Sequence, residues 1–134
     1  MPRNQPGFEA ITEDDGMPAL NFKAQFAELV ESGKKKQTIR QIWKNPIKVG
    51  DTLYLYTGMR TKQCRKLREV ICTKISEITI LASTLDAYMN GKYLRYSGFN
   101  ALARKDGFYG ATYFHAFFRK QYGLPFEGLL IEWD

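Results

Sequence analysis

The apolar residues of this chain come in short runs that switch between helical and strand periodicity, which limits it to a small mixed α+β fold. Phe22, Phe26, Leu29 and Val30 stand at i, i+4, i+7 and i+8, one face of a helix, and Gly33 follows as a left-handed stop. The spacing predicts a helix over residues 23–32. Gln37 to Ile42 then alternates as a short strand with Ile39 inward, which puts Thr38 and Arg40 together on the opposite face. Val49-Gly50-Asp51 marks a turn, and Thr52 to Tyr56 alternates cleanly after it. Residues 58–66 are a basic loop, and Leu67 to Ile75 and Glu77 to Leu81 predict one long strand or two consecutive ones. The region 84–109, rich in Tyr, Gly and Asn, is expected to mix short helical turns with loop. Tyr113, Phe114, Phe117, Phe118 and Tyr122 line a second amphipathic helix that stops at Gly123, and Gly128 to Trp133 is a closing strand. This order predicts a small curved sheet or β-barrel with two main helices packed outside it.

Composition narrows the class. A chain of 134 residues holds one domain, and 44% hydrophobic with 25% charged residues excludes wholesale disorder. No apolar run approaches the roughly 20 residues of a bilayer span, and no signal peptide is expected. Cys64 and Cys72 are too few for a disulfide framework and lack a metal or redox spacing, so a soluble, cytoplasmic protein with structural thiols is expected. A single histidine, His115, argues against a histidine-rich metal site and against paired-histidine ribonuclease chemistry. No cofactor and no metal are expected. Residues 1–17, with Pro2, Pro6, Gly7 and Gly16, read as a flexible tail ahead of one domain over 18–134.

The net charge of +6 is unevenly spread. Residues 1–17 carry one Arg against four acidic residues, a net −3, whereas residues 18–74 carry thirteen Lys and Arg against four acidic residues, a net +9. Residues 75–134 carry six of each sign. Two clusters stand out: Lys34-Lys35-Lys36 with Arg40, and Arg60, Lys62, Arg65, Lys66 and Arg68. Surfaces of this kind hold polyanions such as RNA through phosphate contacts and counterion release; the alternative is a solvated face that aids solubility.

The run Gly33-Lys34-Lys35-Lys36-Gln37-Thr38-Ile39-Arg40 has two readings. Crowded lysines have lowered pKa values, and such a lysine can take a proton from a hydroxyl such as that of Thr38. Lysines after a helix also simply complement its dipole. The run is not a phosphate-binding loop, because Gly33 lacks a second glycine in register. Asp106-Gly107-Phe108 either caps the helix that follows or is carried into a pocket by a tight turn. Tyr54, Tyr56, Tyr93 and Tyr96 are candidates for stacking on bases, though cross-strand packing accounts equally for the first two.

Taken together, Phe26-Ala27-Glu28-Leu29-Val30-Glu31-Ser32-Gly33-Lys34-Lys35, Gln37-Thr38-Ile39-Arg40, Val49-Gly50-Asp51 and the Leu-Tyr-Leu-Tyr strand resemble an ASCH domain, a branch of the PUA-like superfamily. The resemblance runs over about residues 19–134. It implies a small PUA-like β-barrel that works on RNA or a modified nucleoside, with no membrane partner. Some small ASCH proteins are amidohydrolases that remove the acetyl group of N4-acetylcytidine with a lysine, a threonine and a glutamate. The motif carries these roles to Lys35 as base, Thr38 as nucleophile and, in place of glutamate, Asp106, which orients the lysine or passes protons to the leaving amine. Arg40 would hold a phosphate or carbonyl oxygen, and Lys34, Lys36, Arg60, Lys62, Arg65 and Lys66 would bind nucleic acid. A non-catalytic RNA-binding module and a metal-independent ribonuclease are the alternatives the same resemblance leaves.

Overall fold

The computed structural model describes the backbone of residues 10–12, and residues 18–42 and 46–134. Among them the order is β1 (Ala10–Thr12), β2 (Pro18–Phe22), α1 (Ala24–Glu31), β3 (Gln37–Gln41), β4 (Thr52–Thr57) and β5 (Arg65–Ile80). Then come β6 (Ala87–Met89), β7 (Lys92–Leu94), α2 (Tyr96–Lys105), α3 (Ala111–Tyr122) and β8 (Phe126–Trp133).

The sheet is organised by β5, a single strand of 16 residues. Its first half pairs antiparallel with β4, from Thr52 opposite Ile71 to Thr57 opposite Arg65. Its second half pairs antiparallel with β8, and the register slips between Cys72 and Lys74. Such a slip bends a strand, so β5 passes from one half of the sheet to the other without a break. The far edge of β8 takes β3, with Thr38 opposite Ile131 and Arg40 opposite Leu129. On the other side β2 runs parallel to β4, and β1 pairs with β2.

The α+β class is as expected, but the strands do not close into a barrel. Among the described residues no ladder joins β3 to β1 or β2. A side chain crosses that seam instead of a backbone ladder: Arg40 Nη2 donates to the Asn21 carbonyl at 2.8 Å. Its guanidinium lies over the Phe22 ring, 4.8 Å from the centroid.

Among the described residues three helices stand where two main ones were expected. The third comes from the region 84–109, which is more regular than its composition suggests: β6 and β7 form a hairpin, followed by ten residues of α2. The hairpin turns at Asn90 and Gly91, whose φ values of 51° and 80° are those that Asn-Gly pairs supply. Within the stretch read as a flexible tail, Ala10–Thr12 forms a strand; residues 1–9 and 13–17 lie outside the described residues.

Burial follows two clusters. Leu20, Phe22, Phe26, Val30, Leu53, Leu55, Ile131 and Trp133 fill the space between α1 and the sheet. Ile39, Ile78, Phe99, Leu102, Phe114, Phe118 and Leu130 fill that beneath α2 and α3. Phe108 and Phe117 pack against both clusters, and the candidate site opens at this junction.

Candidate functional site

The exit from α1 decides which lysine goes inside. Ser32 caps the helix, Gly33 takes φ 84°, and the Lys35 N–H donates back to the Leu29 carbonyl at 2.9 Å. This tight return leaves Lys34 and Lys36 exposed and turns Lys35 inward, where it is 3% exposed. Its ammonium donates to the main-chain carbonyl of Asp106 and stands 3.1 Å from Asp106 Oδ1. The rings of Phe26 and Phe22 lie 4.9 and 5.9 Å from it.

Asp106 reaches the lysine from the opposite direction, and in a different role from the expected helix entry. It is the C-cap of α2, with Gly107 at φ 98° just beyond. The Gly107 N–H donates to the Arg104 carbonyl at 3.1 Å and the Phe108 N–H to the Ala103 carbonyl at 3.0 Å, the two bonds of a Schellman ending. Glycine is also required by space. A Cβ at residue 107 would lie 3.1 Å from Phe26 and 3.3 Å from both Leu29 and Lys35. The glycine therefore lets the end of α2 close onto α1 and present its last carbonyl and the Asp106 carboxylate to Lys35. Gln37, itself 3% exposed, donates through Nε2 to Asp106 Oδ1 at 3.1 Å.

Thr38 and Arg40 share a face of β3 as the alternation predicts. The Thr38 hydroxyl accepts from Arg40 Nε at 2.8 Å, and both residues are buried. Lys35, Thr38, Arg40 and Asp106 all line one pocket, of about 420 Å³ counting its open mouth. Its walls are aromatic: Phe22, Phe26, Phe108, Phe117, Phe118 and Tyr122. Polar groups that converge between apolar walls are the pattern of a small-molecule site.

The electrostatics follow from burial. Loss of water pushes the Lys35 pKa below that of an ordinary lysine; the attraction of Asp106 opposes this, and the Arg40 charge adds to it. Burial likewise holds the Asp106 carboxyl above the usual carboxylate range, against the pull of Lys35, the Gln37 hydrogen bond and Arg40. Both groups are displaced toward neutrality. A dry amine of reduced basicity and a hydroxyl that accepts a guanidinium hydrogen bond thus line the same pocket, a pairing suited to proton transfer from hydroxyl to amine once a ligand brings them within reach.

The remaining expected residues lie outside the pocket. Lys34, Lys36, Arg60, Lys62, Arg65 and Lys66 are all exposed. The two basic clusters meet on one side of the molecule: Arg65 Nη1 bonds both Glu31 carboxylate oxygens at 2.8 Å, and a Cβ at Gly33 would stand 3.2 Å from Arg68 Nη1. Lys66 pairs with Glu69 and lies over the Tyr54 ring at 5.3 Å. A wider groove that includes Arg65 adjoins the pocket through Phe22 and Lys23. Tyr93 and Tyr96 are exposed but do not line the pocket, and Tyr56 is half-buried. His115 is buried, with Nε2 2.8 Å from the Leu81 carbonyl, so it serves packing. Cys64 is an exposed free thiol and Cys72 a buried one whose pKa burial pushes up.

Two polar residues of the site escape sequence reasoning. Gln37 and Asn21 bind partners 69 and 19 residues away, and nothing local marks them. Of the aromatic wall, Phe22, Phe26, Phe117, Phe118 and Tyr122 were legible only as apolar helix faces, and Phe108 stood beside the Asp-Gly pair. Among the described residues no group of three His, Cys, Asp or Glu side chains is placed to hold a metal, and no helix is long and apolar enough to cross a membrane.

Comparison with known families, curated proteins and solved structures finds no match to this chain. The chemistry of the pocket is the guide to its use.

Proposed function

We propose that this pocket hydrolyses the amide of an N4-acylated cytidine, in a nucleic-acid-associated domain of the ASCH type, a branch of the PUA-like superfamily. The observation that carries the reading is the meeting of a buried amine, a hydroxyl and a carboxylate in one aromatic-walled pocket. The planar base would lie against the rings, with its acyl carbon at Thr38. Neutral Lys35 takes the Thr38 proton as Oγ1 bonds to the acyl carbon, and Arg40 holds the oxyanion that forms. The C–N bond then breaks, and the leaving amine takes the proton from Lys35. A water next adds to the acyl-threonine ester, giving its proton to Lys35, which returns it to Thr38 Oγ1 as the acid departs. Asp106 orients Lys35 throughout.

The test is acetate release from N4-acetylcytidine. Thr38→Val keeps the branched shape and deletes the hydroxyl, so release falls about 10³-fold or more while nucleoside binding changes little. Lys35→Met loses release to the same degree. A wild-type protein that releases no acetate from any acylated cytidine ends the hydrolase reading.

A second reading, a non-catalytic RNA-binding module, is favoured by the exposed Lys34, Lys36, Arg60 and Lys62. It predicts a log K that falls steeply with log salt, a slope that shrinks by roughly one for each phosphate contact removed, and no turnover. Metal-independent cleavage of unmodified RNA in the same assay would instead indicate a ribonuclease.

A further inference from the structure

The two oxygens of the Asp106 carboxylate are not equivalent. Oδ1 receives Gln37 Nε2 at 3.1 Å and stands 3.1 Å from Lys35 Nζ. Oδ2 has no hydrogen-bond partner among the described residues, although Asp106 is only 4% exposed and its side chain lines the pocket. Oδ2 is not among the fully buried atoms left without a partner, so it is reachable from the pocket, and a ligand seated against it must supply a donor in place of solvent. The other charged groups lining the pocket depths, Lys35 and Arg40, are donors, which suit a carbonyl oxygen.

We propose that Gln37 is a positioning residue: by holding Oδ1 it fixes the carboxylate so that Oδ2 accepts the exocyclic N–H of the ligand, making the site selective for secondary amides and primary amines over their N-methylated forms. This deepens the hydrolase reading and rests on the same pocket, but it makes its own demand. The bound group must present an N–H as well as a carbonyl. Lys35 alone would leave the carboxylate free to rotate about its Cβ–Cγ bond; the second donor, from a different strand position, removes that freedom. Gln37 is a suitable anchor because its backbone is fixed in β3, opposite Glu132 of β8. A site that hydrogen-bonds a ligand N–H rejects the analogue lacking it far more strongly than a merely apolar pocket rejects a methyl group.

The experiment measures calorimetric binding of cytidine and N4,N4-dimethylcytidine, and acetate release from N4-acetylcytidine and its N4-methyl derivative, in wild type and in Gln37→Met. Wild type is expected to prefer the N–H form in each pair by about 10- to 100-fold, the range for a hydrogen bond to a charged group. Gln37→Met, similar in length and lacking the donor, is expected to reduce that preference to about threefold or less by weakening the N–H ligands while sparing the methylated ones. Steric exclusion of methyl groups would persist in Gln37→Met, and a purely structural role would weaken all ligands alike. Equal treatment of the paired ligands by wild type overturns the proposal, as does selectivity undiminished in Gln37→Met. Acetate release without N–H selectivity removes this inference and leaves the hydrolase. N–H selectivity that depends on Gln37, with no acetate release, supports the inference and removes the hydrolase.

Discussion

Two ion pairs in this molecule use similar groups in opposite surroundings. Lys35 and Asp106 meet with side chains 3% and 6% exposed, whereas Arg65 and Glu31 meet with side chains 51% and 47% exposed. The exposed pair has the better geometry, both carboxylate oxygens lying 2.8 Å from one guanidinium nitrogen. Even so it contributes little, because water and salt screen it. The buried pair has lost its water. Its charges are therefore held at a cost that their mutual attraction only partly offsets, and both pKa values move toward neutrality. Burial turns a common surface contact into one whose two groups are both displaced toward neutrality.

Substitution breaks this contrast most strongly at the buried end. Lys35→Met strands the Asp106 carboxylate and is expected to cost about 3–5 kcal/mol of stability at neutral pH in denaturant unfolding, besides abolishing turnover. The double variant Lys35→Met/Asp106→Leu should regain most of that stability and none of the activity. Gly107→Ala comes next. It forces a left-handed φ on alanine and presses a methyl group against Phe26, Leu29 and Lys35, for an expected loss of about 1–3 kcal/mol. Its activity should fall further than its stability, since the cap carries Asp106 with it.

The pH dependence sharpens the comparison. Lys35 is held below its unfolded pKa, so just below the ordinary lysine range the unfolded chain binds more protons than the folded one, and stability rises with pH there. Asp106 is held above its unfolded pKa, so just above the ordinary carboxylate range its contribution to stability falls as pH rises. In the pH–rate profile the rising limb should follow Lys35 losing its proton. Asp106→Asn removes the charge that raises the Lys35 pKa and moves that limb to lower pH; Arg40→Gln removes a repelling charge and moves it to higher pH. The smallest effect is expected at the exposed pair: Glu31→Gln should change stability by less than about 1 kcal/mol, and by still less in 1 M salt.

Much of this frame is legible in the sequence, and the reasons differ by element. Helix α1 and strand β4 announce themselves because one face of each is buried, which imposes a period on Phe22, Phe26 and Val30 and on Leu53 and Leu55. Gly33 and the shared Thr38–Arg40 face followed from local backbone rules, but the burial of that face as well as of Ile39 did not. Helix α2 did not, because Ser97, Gly98 and Asn100 are poor helix formers held by tertiary packing. A Cβ on Gly98 would stand 2.4 Å from Leu94, so the residue that hid the helix is the one that lets the hairpin pack on it. The hairpin carries a local signal in Asn90-Gly91, but the expected mix of helical turns and loop did not include it. The open seam of the sheet was not legible, since strand pairing there is set by contacts distant in sequence, such as that of Arg40 with the Asn21 carbonyl. Within the site, Lys35, Thr38 and Asp106 were found by motif, but why Lys35 is the buried lysine depends on the turn at Gly33 and the bond from its N–H to Leu29.

The contrast between the buried and the exposed cations can be measured directly by titrating the lysine side chains by NMR, with the Lys35 signal assigned through Lys35→Met. The Lys35 signal should titrate below the ordinary lysine value of about 10.4. A Lys35 that titrates at or above that value would contradict the account, since an amine so placed stays protonated and cannot take a proton from Thr38.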